Sequence, residues 1–358
     1  MAGLALVLLL GLVAAVHGAL DLSGVNFLNG QWSTPKFDSA TGLASMDEAV
    51  SQVGAPFVTF SFAWFQDNIT TTQIYRKDVS PTDDALRTAV RHAQAGGKRV
   101  LLRPLVDPNW ALNGTSGTWR GEIGTGFGAE QWDAWFASYT DFIIQYARLA
   151  ASLDVDIFSV GAELIEASKQ QAHWETLCAQ VRNMTGTAMQ LTYGANHGNE
   201  ANVAWWSSVD IIGIDAYYTV PVPVAVPTVA ELVLGWSVVH ASLGKLAARE
   251  NRPIFFTEIG FCSKAFTQLD PAHCNERHSG ISLAAQTNNF VALMKAFGDA
   301  PWFRGFHVWA WTTDPAPPAS SGSWANDTGF SPRGKPAAAA IRERLAAETG
   351  GGRGIGDK

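Results

Sequence analysis

The chain has 358 residues, 47% of them hydrophobic and only 16% charged, so it can bury a sizeable core and is not a disordered type. Its formal net charge of −7 comes without any block of Lys or Arg, which argues against a nucleic-acid partner, because phosphate binding needs clustered cations. The length suits one barrel-sized domain or two small ones, and 14 Trp fit either a large core or flat platforms for sugar rings.

The N-terminal run MAGLALVLLLGLVAAVHGA reads as a secretory signal peptide over residues 1–18. Leu4–Val13 form a short apolar core, and Val16 and Gly18 are the small residues at −3 and −1. An uncleaved anchor is the rival reading, for which this run is short. After removal no membrane contact is expected, since the apolar stretch Val220–Val239 is broken by Pro221, Pro223, Pro227 and Glu231.

Eight short apolar runs follow, at Gly24–Leu28, Phe57–Phe65, Arg99–Val106, Ile157–Gly161, Gln190–Gly194, Val209–Ala216, Ile254–Glu258 and Gly305–Trp311. Helical patterns separate them. The clearest follows Ser80. Ser80 or Thr82 caps it, Pro81 suits its first turn, Asp83 and Asp84 complement its positive end, and Gly96-Gly97 stops it. In Ala129–Ala150, Trp132, Trp135, Phe136, Tyr139, Phe142, Ile143 and Tyr146 recur at helical spacing and read as packing. A last helix spans about Lys335–Ala347, and a Gly-rich tail over 349–358 is expected to fray. Eight strands alternating with helices in residues 19–348 predict a single-domain α/β fold, a (β/α)8 TIM barrel. An open doubly wound sheet usually carries a Gly-rich phosphate turn after its first strand, and Gly24 and Gly30 lack that context.

Chemistry in such a barrel gathers at the C-terminal strand ends. Those ends carry Trp64, Gln66 and Asp67; Arg103 and Asp107; Glu163; Asn196 and His197; Asp215, Tyr217 and Tyr218; Glu258; and Trp309 and Trp311. Strand alternation puts Ser159, Gly161 and Glu163 on one face and Phe158 and Val160 on the other, which directs Glu163 to the barrel mouth. The plainer alternative is a helix-start glutamate stabilised by the dipole of 164–169. Glu258 ends an apolar strand three strands later, and paired carboxylates across a barrel mouth can cleave a glycosidic bond.

Four Asn-x-Ser/Thr sequons, at Asn68, Asn113, Asn183 and Asn326, agree with a secreted, glycosylated surface. Of the three cysteines, Cys262 and Cys274 lie twelve positions apart around a loop and are the expected disulfide, leaving Cys178. A tetrahedral zinc site from Cys262, His273, Cys274 and His278 is the alternative, though its spacing matches no common zinc pattern.

The chain resembles glycoside hydrolase family 113, within the clan A hydrolases that place one glutamate after strand four and another after strand seven. The motifs that carry the resemblance are GVNF at Gly24, WFQDN at Trp64, PTDDALRTAVRHAQAGGKRVLLRPLVD from Pro81, WRGEI at Trp119, VGAEL at Val160, IGIDAYY at Ile212, FFTEIGF at Phe255 and HVWAW at His307. They cover nearly the whole mature chain. The resemblance implies a retaining hydrolase of β-1,4-mannan or manno-oligosaccharides that needs no metal or organic cofactor. Glu163 would be the acid/base and Glu258 the nucleophile. Tyr217 would orient the nucleophile and Trp309 would form the sugar platform. Trp64, Asp107, Trp119, Arg120 and Asn196 are further candidate sugar contacts. The chain departs from the pattern at Ala162, where most of the clan has an asparagine for the sugar 2-hydroxyl, and at Leu105, where a more polar residue is expected. A β-glucanase or transglycosylase of the same clan is one alternative, and a non-catalytic carbohydrate-binding barrel another. A monomer is expected.

Overall fold

The computed structural model describes residues 20–29, 36–109, 119–274 and 280–351. The expected signal peptide at residues 1–18, Asn113, His278 and residues 352–358 lie outside them. Eight parallel strands close into a barrel in sequence order. They are β1 Gly24–Leu28, β2 Phe57–Gln66, β3 Arg99–Pro108, β4 Ile157–Ala162, β5 Gln190–Asn196, β6 Ile211–Asp215, β7 Ile254–Ile259 and β8 Phe303–Thr312. Around them run α1 Ala40–Val53, α2 Asp83–Ala95, α3 Ala129–Ser152, α4 Ile165–Ser168, α5 Gln171–Thr185, α6 Val229–Gly235, α7 Ser237–Glu250, α8 Leu283–Phe297 and α9 Pro336–Gly351. Every predicted strand is present, so the chain is the expected (β/α)8 barrel. The sixth starts two residues late, because Val209 closes a 3-10 turn at Trp206–Ser208. The last helix runs on to Gly351, into the predicted tail.

Local chemistry accounts for the helices. Thr82 accepts a hydrogen bond from the Ala85 amide at 3.0 Å and caps α2. Ser80, the other candidate cap, instead donates to the Ala63 carbonyl at 2.7 Å and ties the loop to β2. The seven aromatic and aliphatic residues predicted to line α3 are all buried. Each buried side chain of that size contributes about 1.5–3 kcal/mol, so this stripe seats α3 firmly on the barrel. Among the described residues no single helix is long and apolar enough to cross a membrane.

The barrel interior is layered. Leu22, Phe57, Leu101, Ile157, Ile211 and Phe255 make an apolar floor. His307 joins it, with Nε2 2.6 Å from the Leu22 carbonyl and Nδ1 bonded to Thr59. Burial pushes the His307 imidazole down to about 3, which keeps it neutral. Above the floor Asn26, Ser61, Arg103, Asp215 and Thr257 form a buried hydrogen-bonded polar set. Room for it comes from Gly194, where a Cβ would meet Thr257 Oγ1, Asp215 Oδ1 and Arg103 Nη2 at 3.0–3.3 Å.

Cys262 and Cys274 form the expected disulfide, with Cα atoms 5.7 Å apart. That takes both sulfurs from the zinc alternative, and among the described residues no cluster could hold a metal ion. Cys178 is buried on α5 with a free thiol. Asn68, Asn183 and Asn326 are exposed.

Candidate active site

Both glutamates ride on bulged strands. In β4 the register passes from Ser159 opposite Thr192 to Ala162 opposite Gly194, so β4 spends one residue more than β5. Gly161 thereby faces outward, where a Cβ would strike Tyr139 and Trp174 of the surrounding helices. Alternation alone predicted Gly161 inward beside Glu163. After the bulge it is Ala162 that turns in, packed with Ala63, Phe65 and Leu105. Glu163 then takes a left-handed backbone, φ 55°, which leaves the strand path and delivers the carboxylate to the mouth. Such a conformation costs a non-glycine residue on the order of 1–3 kcal/mol. Two bonds hold it. The Glu163 amide donates to the Gly194 carbonyl at 2.7 Å, and the Leu164 amide donates to the Tyr193 hydroxyl at 3.0 Å. On β7 the register shifts between Phe256 and Glu258, so Thr257 and Glu258 reach the same interior. Thr257 bonds Asp215, and Glu258 bonds Arg103 and Tyr217.

Glu258 is 4% exposed, and each of its oxygens has a donor. Arg103 Nη1 donates to Oε1, and the Tyr217 hydroxyl donates to Oε2 at 2.8 Å. Arg103 also donates from Nη2 to Asp215 at 2.6 Å, and Thr257 donates to the other Asp215 oxygen at 2.7 Å. Arg103 is fully buried and serves two carboxylates at once. Burial pushes the Asp215 carboxyl upward against the pull of Arg103.

Glu163 stands in a different field. Arg120 grips Asp107 through Nε at 2.8 Å and Nη2 at 3.0 Å, and reaches Glu163 with Nη1 only at 3.4 Å. Burial, followed by the charges of Asp215 and Glu258, raises the Glu163 carboxyl to about 8 despite Arg120 and Arg103. Charge count adds to the effect of burial. Four carboxylates (Asp107, Glu163, Asp215 and Glu258) share two guanidinium groups, so a proton on the least well-paired carboxylate relieves the excess. Glu163 is that carboxylate, which leaves it protonated at neutral pH.

The two glutamates line one cavity of about 560 Å³, together with Trp119, Asn196, Tyr217 and Trp309. Four of the seven candidate sugar contacts are therefore at the site. Asp107 and Arg120 lie beside it, where Asp107 is spent on holding Arg120. Trp64 requires correction. It points outward to α3, where its indole N–H donates to the Tyr146 hydroxyl at 2.8 Å and its ring packs on Phe142. Alternation along β2 explains this, because Ser61 and Ala63 take the inward positions.

The cavity also includes His197, His273 and Phe330. His197 directly follows β5, and burial lowers its pKa. His273 sits beside Cys274 and bonds Asp270 through Nδ1 at 2.8 Å. Phe330 has no signal in the sequence, since it arrives on the long segment after β8.

Residues 24–335 match the sequence model of Glycoside Hydrolase Family 113. No curated protein sequence matches the chain. Among solved structures, a GH113 β-mannanase from Alicyclobacillus acidocaldarius is 28% identical, with 92% of this chain and 98% of that chain covered at a TM-score of 0.77. A GH113 β-1,4-mannanase is 22% identical, with 92% and 99% covered at a TM-score of 0.78. A Ruminococcus gnavus β-glucuronidase shares the fold alone, at 12% identity, 91% and 50% coverage and a TM-score of 0.56.

Proposed function

The chain belongs to Glycoside Hydrolase Family 113 and is a glycoside hydrolase, and we propose that it cleaves β-1,4-mannan or manno-oligosaccharides with retention, using Glu258 as nucleophile and Glu163 as acid/base. The observation that supports this most directly is the split between the two carboxyl environments. Glu258 is held by a cation and a hydroxyl, whereas Glu163 is raised to about 8 and has a proton to give.

In the first step Glu258 attacks the anomeric carbon while Glu163 protonates the departing glycosidic oxygen. The covalent glycosyl-enzyme neutralises Glu258. The charge of Glu258 is one of the causes that raise Glu163, so its loss lowers the Glu163 pKa when that residue must act as base on the incoming water. Tyr217 and Arg103 fix the direction of attack through the two Glu258 oxygens. Trp309 and Trp119 line the cavity and would supply aromatic contacts to the sugar. The mannan assignment draws on the two β-mannanase structures. The 1–18 leader and the Cys262–Cys274 disulfide support a place in or beyond the secretory pathway, where such bonds persist.

The test is a polysaccharide panel of mannan, glucomannan, β-glucan and xylan, with Glu258→Ala as control and proton NMR of the first product. Mannan cleavage with the β-anomer appearing first is expected. Activity confined to glucan or xylan overturns the substrate, an α-anomer overturns retention, and turnover by Glu258→Ala overturns the nucleophile.

A further inference from the structure

A second pocket of about 120 Å³ adjoins the catalytic cavity and shares Trp309 with it. Its walls are Leu28, Phe62, Ala63, Val79, Pro81 and Leu105, and the Ser61 hydroxyl that also lines it is taken up by Asn26 Oδ1 at 3.1 Å. Sugar pockets that bind a free hydroxyl present hydrogen-bonding groups to it; these walls present almost none. The volume is well below the roughly 300 Å³ of small-molecule sites. It therefore fits a substituent on a sugar, not another ring.

Two polar features fix what kind. Arg120 lines the pocket, and its bonds to Asp107 and Glu163 use three of its N–H groups, whereas a guanidinium has five. The other two can meet a carbonyl oxygen. The Asn29 Oδ1 atom is buried and lacks a hydrogen-bond partner, while its Nδ2 donates to the Val79 carbonyl at 3.4 Å. That oxygen suits a donor on the same sugar. A small apolar group with one carbonyl, next to a hydroxyl or amide N–H, is an acetyl substituent.

We propose that this pocket receives an acetyl group carried by the sugar bound beside Trp309, so that the enzyme works on acetylated chains without their prior deacetylation. The departures at Leu105 and Ala162 belong to the same feature. The two pack together with Ala63 and Phe65 in one buried apolar cluster, and two members of that cluster, Ala63 and Leu105, form pocket wall. At Leu105 an apolar wall thus stands where a more polar residue is expected, with Ala162 packed in the same cluster. The proposal rests on the hydrolase reading above.

The experiment compares soluble oligosaccharides of equal length: O-acetylated manno-oligosaccharides, the same material after alkaline deacetylation, and N-acetylglucosamine oligomers. Each is assayed with the unaltered protein and with Val79→Phe, which fills the pocket from its half-exposed side and touches no residue of the catalytic pair. Filling an apolar pocket with the wrong volume changes discrimination by about tenfold. The expected result is a kcat/KM about tenfold higher on the acetylated mannan, with Val79→Phe erasing the difference between the two mannan substrates. The same Val79 dependence on the N-acetylated oligomers alone keeps the pocket and assigns it to an amide, while overturning the mannan reading. Hydrolysis of mannan with no acetyl preference, or an equal loss on both mannan substrates in Val79→Phe, overturns the pocket and leaves the mannan reading intact. No hydrolysis of any of the three overturns both.

Discussion

Replacing Glu163 with Gln tests the raised carboxyl without relying on any substrate. In the folded protein this group titrates near 8, against an ordinary value of 4.5. Below pH 4.5 it is protonated in both folded and unfolded chains and contributes nothing to the pH dependence. Between 4.5 and 8 the unfolded chain releases a proton that the folded chain keeps, so stability falls as pH rises. The slope for one such proton is ~1.4 kcal/mol per pH unit. From pH 5 to pH 7 that is about 3 kcal/mol, or about 4 °C of melting temperature at the per-residue unfolding entropy usual for globular chains. The variant lacks the titration but keeps the shape. Both proteins share every other ionisable group, so most of the remaining pH dependence cancels in the difference. Thermal unfolding of the two at pH 5, 6 and 7 should show the variant gaining on the unaltered protein by about 4 °C across the range. Parallel melting curves would refute the reasoning, because Glu163 would then titrate as an exposed glutamate does. The same group predicts an alkaline limb near pH 8 in kcat/KM, as the proposed general acid loses its proton.

Tyr217→Phe removes the donor to Glu258 Oε2 and should lower kcat by about 10- to 100-fold, the worth of a hydrogen bond to a charged group, with KM little changed; a kcat within twofold in steady-state assays argues against an orienting role. Arg103→Met leaves Asp215 and Glu258 buried without their shared cation and should cost about 3–5 kcal/mol, read as a fall in melting temperature, and an unchanged melting temperature contradicts the charge count.

The barrel was legible because its signals are local and repeated. Each strand is a short apolar run, each helix has a stripe or a cap, and Thr82 and Gly96 show the caps at work. The candidate glutamates were legible as carboxylates at the ends of apolar strands. Arg103 was visible only as a strand-end residue. Nothing in RVLLRPLVD says that one guanidinium serves both Asp215 and Glu258, since those partners lie 112 and 155 positions away. Trp64 misled for the complementary reason. Its place near a strand end suggested the mouth, but parity along β2 sends it to α3.

Glu163 shows a deeper limit. Period-two alternation reached its placement at the barrel mouth by the wrong route, since Gly161 faces outward and Ala162 faces inward. A bulge inserts one residue and exchanges the faces beyond it, and a single left-handed residue then sends the chain off the sheet. Neither event has a composition of its own: VGAEL would pleat regularly in another setting. What selects the bulge here is non-local. A Cβ at position 161, already outward, would sit 2.6 Å from the Tyr139 hydroxyl, so glycine is required where that hydroxyl reaches the Val160 carbonyl. On the facing strand Tyr193 and Gly194 supply the bonds that hold the left-handed turn. The position of Glu163 is therefore written partly in α3 and β5, which is why a strand pattern identifies the residue while the surrounding shell determines its aim.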